Sequence, residues 1–245
     1  MGELYKAFND FFEVVVADTP ELLTEVYRIR FQVLCVEKRL PGFDQALYSD
    51  GQEKDNYDSH SCHALLRHRS TGSFIGTVRL ILFDTSNPDK RFPIEVHAQI
   101  DPKLCDFNKL KRHQTAEISR FVVVGKFSRR KAERRNIETR NIDTNERRDR
   151  RCAPYIALAL LAGVVQMCAS ANIRNWLSVM DPSLNRLLSC FGWGLNPVGP
   201  LIEYHGLRQP YFMKVEEAMD KMKKENYEAW EVITNNGQYT KFLMK

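Results

Sequence analysis

A 22-residue stretch without any charge, Cys152 to Ile173, constrains the fold more than any other part of this chain. Its apolar core, 155–165, ends at Gln166 and is too short to cross a membrane, because a spanning helix needs about 20 apolar residues. A helix that is apolar on all sides must then be buried within a folded protein. We therefore expect a buried helix over 153–171 and no transmembrane segment.

The chain has 245 residues and a formal charge of +5, and the whole excess lies in one segment. Residues 126–151 hold eleven Lys or Arg against five acids, while the rest holds 25 positive and 26 negative residues. The segment has one aromatic residue, Phe127, so it does not resemble a stacking surface for single-stranded nucleic acid, and we do not expect a nucleic-acid partner. Two interpretations remain: a docking surface for an acidic protein and a solvated loop.

The six cysteines are spread along the chain without a C-x-x-C pair or a Cys/His cluster. This spacing is unlike a zinc site or a secreted disulfide framework, and it favours reduced thiols. The first residues lack the pattern of a signal peptide, so we expect a cytoplasmic protein. Motifs for dinucleotide, P-loop, zinc-peptidase and α/β-hydrolase sites do not occur in the sequence, which argues against those functions.

Hydrophobic periodicity and turn residues predict a mixed α/β (α+β) chain. The predicted strands are 12–17, 61–67, 74–83, 117–124, 176–180, 201–204 and 210–215, and the second and third should form a hairpin. The predicted helices are one that begins after Thr19 and continues to Leu34, then 153–171, 182–190 and 214–233. We expect a single domain over 1–245, with a central mixed sheet, a basic insertion at 126–151 and a C-terminal helix and tail at 216–245.

Two carboxylates three residues apart, Asp55 and Asp58, lie in a short acidic segment. They could bind a cationic substrate group such as an ammonium, or they could be turn-forming side chains of a solvated loop. Arg79 interrupts an apolar run, 76–80, where an unpaired guanidinium would be costly. Its candidate partners are Asp55, Asp58 and Glu117. The alternative is an edge strand on which Arg79 faces water.

Glu117 begins a β-branched strand with the sequence Glu-Ile-Ser-Arg. Strand alternation predicts that Glu117 and Ser119 share one face, and that Ile118 and Arg120 share the other. A buried glutamate has a raised pKa and can accept a proton from an amine near neutral pH. The alternative is a structural ion pair between Glu117 or Arg120 and a neighbouring strand.

Four short motifs occur in order along the chain: YRIRFQVLCVE at 27–37, DNYD at 55–58, GTVRL at 76–80 and EISRF at 117–121. In this combination the chain resembles the acyl-homoserine-lactone autoinducer synthases and the long-chain N-acyl amino acid synthases. It is most similar to the bacterial acyltransferases associated with the PEP-CTERM/exosortase system. The resemblance extends over about residues 10–215, and it implies a GNAT-like fold whose sheet splays open to admit a pantetheine arm.

The resemblance also implies N-acyl transfer from an acyl carrier protein thioester, or from acyl-CoA, to the primary amine of an amino acid or a related metabolite. No permanently bound cofactor and no metal are expected. The implied substrate-binding residues are Arg30, Asp55, Asp58 and Arg79. The implied catalytic residues are Glu117, Ser119, Arg120 and Phe121. The expected carrier-protein docking residues are Arg129, Arg130, Arg134, Arg135, Arg147 and Arg148.

Two departures from the family pattern affect the expected substrates. The basic insertion lies where coenzyme A-dependent GNAT enzymes carry a glycine-rich pyrophosphate loop, which favours a carrier-protein donor. Residues 37–41 lack the tryptophan usual in autoinducer synthases, which favours an amino-acid acceptor, and 185–191 lack the tyrosine that often protonates the leaving thiolate. Two alternatives stay open: an autoinducer synthase, and a non-catalytic module that binds acyl carrier protein or nucleic acid through 126–151.

Overall fold

The computed structural model describes residues 2–128 and 144–244. Its helices are α1 (Glu3–Phe11), α2 (Pro20–Phe31), α3 (Pro93–His97), α4 (Gly125–Ser128), α5 (Thr144–Ala171), α6 (Pro182–Ser189), α7 (Val215–Glu225) and α8 (Tyr227–Thr234). Its strands are β1 (Phe12–Val16), β2 (Ser61–His68), β3 (Phe74–Ile81), β4 (Thr115–Val123), β5 (Asn175–Met180), β6 (Asn196–Pro197), β7 (Ile202–Glu203) and β8 (Leu207–Lys214). A π-helical segment, Gln32–Glu37, continues α2.

The strands form one mixed sheet in the order β1-β2-β3-β4-β5-β8-β6, with β7 paired to β8 beside this path. β4 and β5 are parallel, and the other pairs are antiparallel. The predicted hairpin is present as β2 and β3, paired from Ser61–Ile81 to Arg67–Phe74. The predicted fold class, a mixed sheet flanked by helices, is therefore confirmed.

The two parallel strands at the centre of the sheet lie together only at their beginning. Their pairing starts at Thr115–Asn175 and ends at Ile118–Ser178, although β4 continues to Val123. The hydroxyl of Ser178 donates a hydrogen bond to the carbonyl of Ile118 at 3.0 Å, next to this last pair. Within these two described strands no later pair joins them, so the sheet opens between the second half of β4 and the end of β5.

A bulge in β4 lies where this opening begins. Thr77 of β3 pairs with Val122, and Arg79 pairs with Ser119, so the two residues between them on β4 lie opposite a single residue of β3. One of the two, Arg120, has a φ of +50°. A bulge of this kind bends a strand and breaks its alternation.

The predicted apolar helix is α5, and it packs across β1, β2 and β3. Leu158, Val164 and Val165 on it are fully buried. At Gly163 an added Cβ would lie 2.8 Å from the Cβ of Ala64, so the glycine lets the helix approach the sheet closely. No helix in the described residues combines the length and apolarity that a membrane crossing requires.

Two terminal helices differ from the prediction. The single helix expected over 214–233 is divided at Asn226, whose side chain accepts a hydrogen bond from the backbone N–H of Ala229 and so caps a second helix, α8. Helix α1 is absent from the predicted elements, although its buried Phe8 and the neighbouring Leu4 and Phe11 have helical spacing and pack on the core.

Candidate active site

The candidate site lies on the face of the sheet opposite α5. The strand register places His63, Arg79 and Ser119 side by side on β2, β3 and β4. The next row on the same face runs from Ile81 through Glu117 to Leu177, and its two flanking residues belong to a core that includes α3. Helices α2 and α3 cover this face. Polar side chains on these central strands are thereby held away from solvent.

An ion-pair lattice joins three arginines to three carboxylates there: Arg30, Arg79 and Arg120 with Glu53, Asp55 and Asp58. The arginines come from α2, β3 and β4, and the carboxylates come from the loop before β2. The three positive charges and the three negative charges balance, so the lattice as a whole is neutral. Buried charges are tolerated when they are paired and hydrogen-bonded in this way.

Arg79 holds the acidic pair that the sequence singles out. Its Nη1 lies 2.6 Å from Oδ1 of Asp55 and 2.8 Å from Oδ1 of Asp58, and its Nη2 lies 3.0 Å from Oδ2 of Asp55. Its Nε donates to Oγ of Ser119 at 2.9 Å. Because the side chain is only 1% exposed and β3 is a central strand, the edge-strand alternative is wrong for Arg79.

Arg30 fixes the other side of the same loop. Its two terminal nitrogens bind both oxygens of Asp58, at 2.7 and 3.1 Å, and its Nε bonds to Glu53. Burial opposes ionisation of Asp58, but hydrogen bonds and charge from Arg30, together with the charge of Arg79, hold the pKa of that carboxyl well below its usual range. The loop alternative of solvated turn-forming side chains does not describe Asp58, which is 7% exposed.

Arg120 corrects the prediction made from strand alternation. Alternation places it on the face opposite Glu117 and Ser119, together with Ile118, but its guanidinium binds Glu53 and Asp55 at 2.9 Å on the same face as Ser119. The physical reason is the bulge, because its positive φ turns the side chain back across the strand.

Glu53 is a member of the lattice that the sequence reasoning missed. It is fully buried and bridges Arg30 and Arg120, and the charges of both lower the pKa of its carboxyl despite burial. Its backbone N–H donates to the carbonyl of Tyr27 on α2. The available signal was its place in the acidic segment, two residues before Asp55, on the same side of an extended chain.

Glu117 lies beside the lattice and forms no ion pair with any residue that the structure describes. Its side chain is buried, and one carboxylate oxygen accepts a hydrogen bond from the backbone N–H of Ile94 at 2.9 Å. Burial raises the pKa of Glu117 to about 8, although the Ile94 hydrogen bond and the charge of Arg79 oppose the shift. Near neutral pH this carboxyl can therefore both hold and release a proton. Phe121, the remaining residue of this strand that the resemblance implies to be catalytic, packs on the core beneath α5 and not on the lattice.

His63 is a further buried neighbour. Its Nε2 lies 3.6 Å from Oδ1 of Asp58, its ring meets the ring of Tyr27 edge-on at 5.9 Å, and neither ring nitrogen has a hydrogen-bond partner within the described part of the protein. Burial and the charge of Arg30 lower its pKa to about 3. His63 is therefore neutral and adds no charge to the lattice.

Two tyrosines that the sequence reasoning did not select lie within the electrostatic influence of Glu117. Tyr204, at the turn between β7 and β8, stacks on His97 of α3 with ring centroids 4.3 Å apart. Burial raises the pKa of both Tyr57 and Tyr204, and the charge of Glu117 adds to both shifts, so both phenols lie in its field. Tyr57 lies within the DNYD motif at 55–58, whereas Tyr204 belongs to none of the four motifs.

The loop that contains residues 41–43 lies over the lattice, next to the turn that carries Tyr204. The ring of His205 donates a hydrogen bond to the carbonyl of Pro41 and contacts the ring of Phe43 at 4.7 Å. The guanidinium of Arg120 lies 4.9 Å from the centre of the same Phe43 ring. The turn and the loop thus cover the side of the lattice that carries Arg120.

The structure describes no side-chain contacts for the six expected docking residues. Arg129, Arg130, Arg134 and Arg135 lie outside the described residues. Arg147 and Arg148 fall within α5, in a part of the helix where only the backbone is described. Their role stays a prediction.

Comparison with known proteins gives a family match over part of the chain and a shared fold. Residues 29–137 match the family model described as acetyltransferase (GNAT) domain. All six lattice residues lie within this matched range. No curated protein sequence matches the chain.

Several solved structures have a similar fold. TofI in a ternary complex with an inhibitor and MTA is 16% identical, with 90% of this chain and 97% of that one covered and a TM-score of 0.56. BjaI, a CoA-dependent acyl-homoserine lactone synthase with SAM and isopentyl-CoA, is 17% identical, with coverage of 87% and 88% and a TM-score of 0.54. FeeM, an N-acyl amino acid synthase from uncultured soil microbes, is 13% identical, with coverage of 86% and 93% and a TM-score of 0.52. At these identities the likeness establishes a shared fold.

Proposed function

Because residues 29–137 match a GNAT acetyltransferase domain, we propose that the protein moves a fatty acyl chain from a carrier-protein thioester to the primary amine of an amino acid. The observation that carries the proposal is Glu117, a buried carboxyl beside the point where β4 and β5 separate, which has no ion-pair partner among the described residues. A thioester arm that enters between these strands would bring its carbonyl close to this carboxyl.

Glu117 is suited to accept the proton of the amine. Its pKa of about 8 is close to that of an α-amino group, about 8, so a proton passes between the two with little cost. The nitrogen lone pair then forms a bond to the thioester carbonyl carbon and the carbon–sulfur bond breaks. The nitrogen gives up a second proton as the amide forms, and the leaving sulfur takes it up and departs as a thiol. Glu117 then returns the first proton, which came from the ammonium, to solvent.

Backbone N–H groups at the opening support the charge that develops on the carbonyl oxygen. The N–H of Val124 donates to the carbonyl of Ile75 on β3. Because N–H groups alternate along a strand, the N–H of Val123 is directed to the opposite side, towards the gap. A donor in that position can stabilise an oxyanion.

The acidic pair supports the reaction through loop geometry. The carboxylates of Asp55 and Asp58 are already bonded to Arg79, Arg30 and Arg120, so their charge is balanced within the protein. We therefore assign them to ordering the loop that carries Tyr57, whose N–H donates to Asp55 at 2.9 Å. Tyr57 and Tyr204 would then line the acceptor side of Glu117.

The acyl donor and the acceptor class have separate support. The net positive segment 126–151 fits an acidic carrier protein. Among the structures of similar fold, BjaI is a CoA-dependent synthase whose complex holds SAM, whereas FeeM is an N-acyl amino acid synthase. An experiment must therefore decide whether the acceptor is an amino acid or SAM.

The test is an acylation assay read by mass spectrometry. The purified protein is given acyl carrier protein or coenzyme A loaded with a long acyl chain, together with a panel of amino acids and SAM. We expect an N-acyl amino acid in the wild type and at least a 100-fold loss in Glu117→Gln. Glu13→Gln, which removes a carboxylate from a surface ion pair on β1, is the matched control.

Three outcomes would contradict the proposal. If Glu117→Gln retains the activity of the Glu13→Gln control, Glu117 is not the base. If SAM alone is acylated and a lactone forms, the protein is an autoinducer synthase, and if no amine is acylated the acyl-transfer proposal fails.

A further inference from the structure

Arg120 has a backbone conformation that its residue type does not favour. A φ of +50° lies in the left-handed region, where a residue with a Cβ is strained and glycine is not. The strained residue is part of the β4 bulge, and the bulge begins two residues after the last pair between β4 and β5. The strain and the opening of the sheet therefore coincide.

The lattice holds Arg120 in this conformation. Its Nε and Nη2 bind the two oxygens of Glu53 at 3.1 and 2.9 Å, and Nη2 also binds Asp55 at 2.9 Å. Glu53 is itself fixed by Arg30 and is fully buried, so it cannot follow a movement of β4. Strained backbone persists where surrounding contacts determine it in this way.

We propose that Arg120 is a positioning residue: Glu53 anchors its guanidinium, and this anchor keeps the β4 bulge in the left-handed conformation that separates β4 from β5. The guanidinium then acts through the backbone and need not touch either substrate. An extended Arg120 would restore regular alternation to β4 and bring its N–H groups back towards pairing with β5. The inference rests on the proposed acyl transfer only for its kinetic test.

The first test compares two substitutions that both remove the guanidinium. Arg120→Gly adopts a positive φ without strain, whereas Arg120→Ala does not. We expect kcat to be about tenfold higher in Arg120→Gly than in Arg120→Ala, with the acceptor KM similar in both. Equal kcat values, or a large rise in acceptor KM in both variants, would assign the guanidinium to substrate contact and overturn the proposal.

A surface arginine provides the control for glycine itself. Arg67 lies in β2, with a side chain 36% exposed and an ion pair to Glu13 at 3.2 Å. In this extended strand alanine is the better residue, so Arg67→Ala should be more stable than Arg67→Gly. At Arg120 we expect the opposite order, with the glycine variant superior to the alanine variant. If the glycine variant performed better than the alanine variant at both Arg120 and Arg67, the result would also contradict the proposal.

The second test removes the anchor. Glu53→Gln keeps the side-chain shape and weakens the bonds to Arg120, so we expect a lower kcat. Adding Arg120→Gly to Glu53→Gln should recover most of the loss, because glycine needs no anchor. A double variant no more active than Glu53→Gln would contradict the proposal.

A readout without turnover separates this inference from the proposed function. Amide hydrogen exchange over 119–123 should be slower in Arg120→Ala than in wild type, because β4 gains pairing with β5, while Arg120→Gly should match wild type. If no amine is acylated but this pattern is found, the proposed function fails and the positioning role stands. Unchanged exchange in Arg120→Ala would remove the positioning role.

Discussion

Individual side chains at this site differ mainly in how their charge is balanced. Asp55 and Asp58 are ionised because arginines surround them, whereas Glu117, on the strand that also carries Arg120, has its pKa raised by burial. Carboxyl groups of one chemical type are thus divided into ion-pair partners and a proton acceptor by their surroundings. This division is what acid–base chemistry near neutral pH requires.

The titration of Glu117 predicts a pH-dependent stability. Its pKa is about 8 in the folded protein and 4.5 ordinarily, so between these values the folded chain keeps a proton that the unfolded chain releases. The free energy of unfolding should therefore fall as pH rises from about 4.5 to about 8. Urea unfolding of wild type and Glu117→Gln at pH 5, 6.5 and 8 checks this. A constant difference between the two proteins would show that Glu117 is not protonated when folded.

Tyr204 predicts a change in acceptor binding. Tyr204→Phe keeps the stack on His97 but removes a hydroxyl that lies in the electrostatic field of Glu117, so we expect the acceptor KM to rise about tenfold, with the donor KM unchanged. Initial rates with each substrate varied in turn provide the measurement. Tyr227→Phe, at an exposed position on α8, is the control. An equal effect on both KM values would place Tyr204 outside the acceptor side.

At the scale of elements, α2 and the loop before β2 are joined to the sheet by charge as much as by apolar packing. Arg30 is fully buried on α2, and its two carboxylate partners lie on that loop. Removing one partner of a buried pair leaves the others uncompensated, which is far more costly than breaking a surface pair.

Arg30→Ala should therefore lower the free energy of unfolding by about 3–5 kcal/mol. Arg67→Ala, which breaks an ion pair at the surface of β2, should lower it by no more than about 1 kcal/mol. Urea denaturation with circular dichroism distinguishes the two. A loss of similar size in both variants would mean that the lattice contributes little to stability.

The sequence predicted the described strands except β6, the apolar part of α5 and most lattice members, because strand composition, helix spacing and short motifs are local signals. It did not predict the face of Arg120 or the role of Glu53. The positive φ of Arg120 depends on a carboxylate from a distant loop, and alternation rules assume a regular strand. Tyr204 was missed for a related reason, since the stack on His97 exists only after β7 and β8 have folded against α3.

At the scale of the whole molecule, charge is divided between the site and the basic insertion. The lattice is neutral, and the net positive charge of the chain lies in 126–151. A field from that segment can attract an acidic partner.

Neutralising the insertion should affect the donor alone. With Arg129, Arg130, Arg134, Arg135, Arg147 and Arg148 changed to Ser, we expect the KM for an acyl carrier protein donor to rise at least tenfold at low salt, and the KM for a short acyl-pantetheine thioester to stay unchanged. Raising the ionic strength should give wild type the same change. Equal use of both donors by the variant and wild type at low salt would remove the docking role.

Glu53 and Arg120 are 67 residues apart along the chain, yet the geometry of the β4 bulge depends on their contact. Local segments such as the β2–β3 hairpin can form before this contact, because their own residues specify them. The opening in the sheet cannot, since it requires the acidic loop, α2 and β4 to meet first. We therefore expect the opening of the sheet to form late in folding, after the distant segments that hold it have come together.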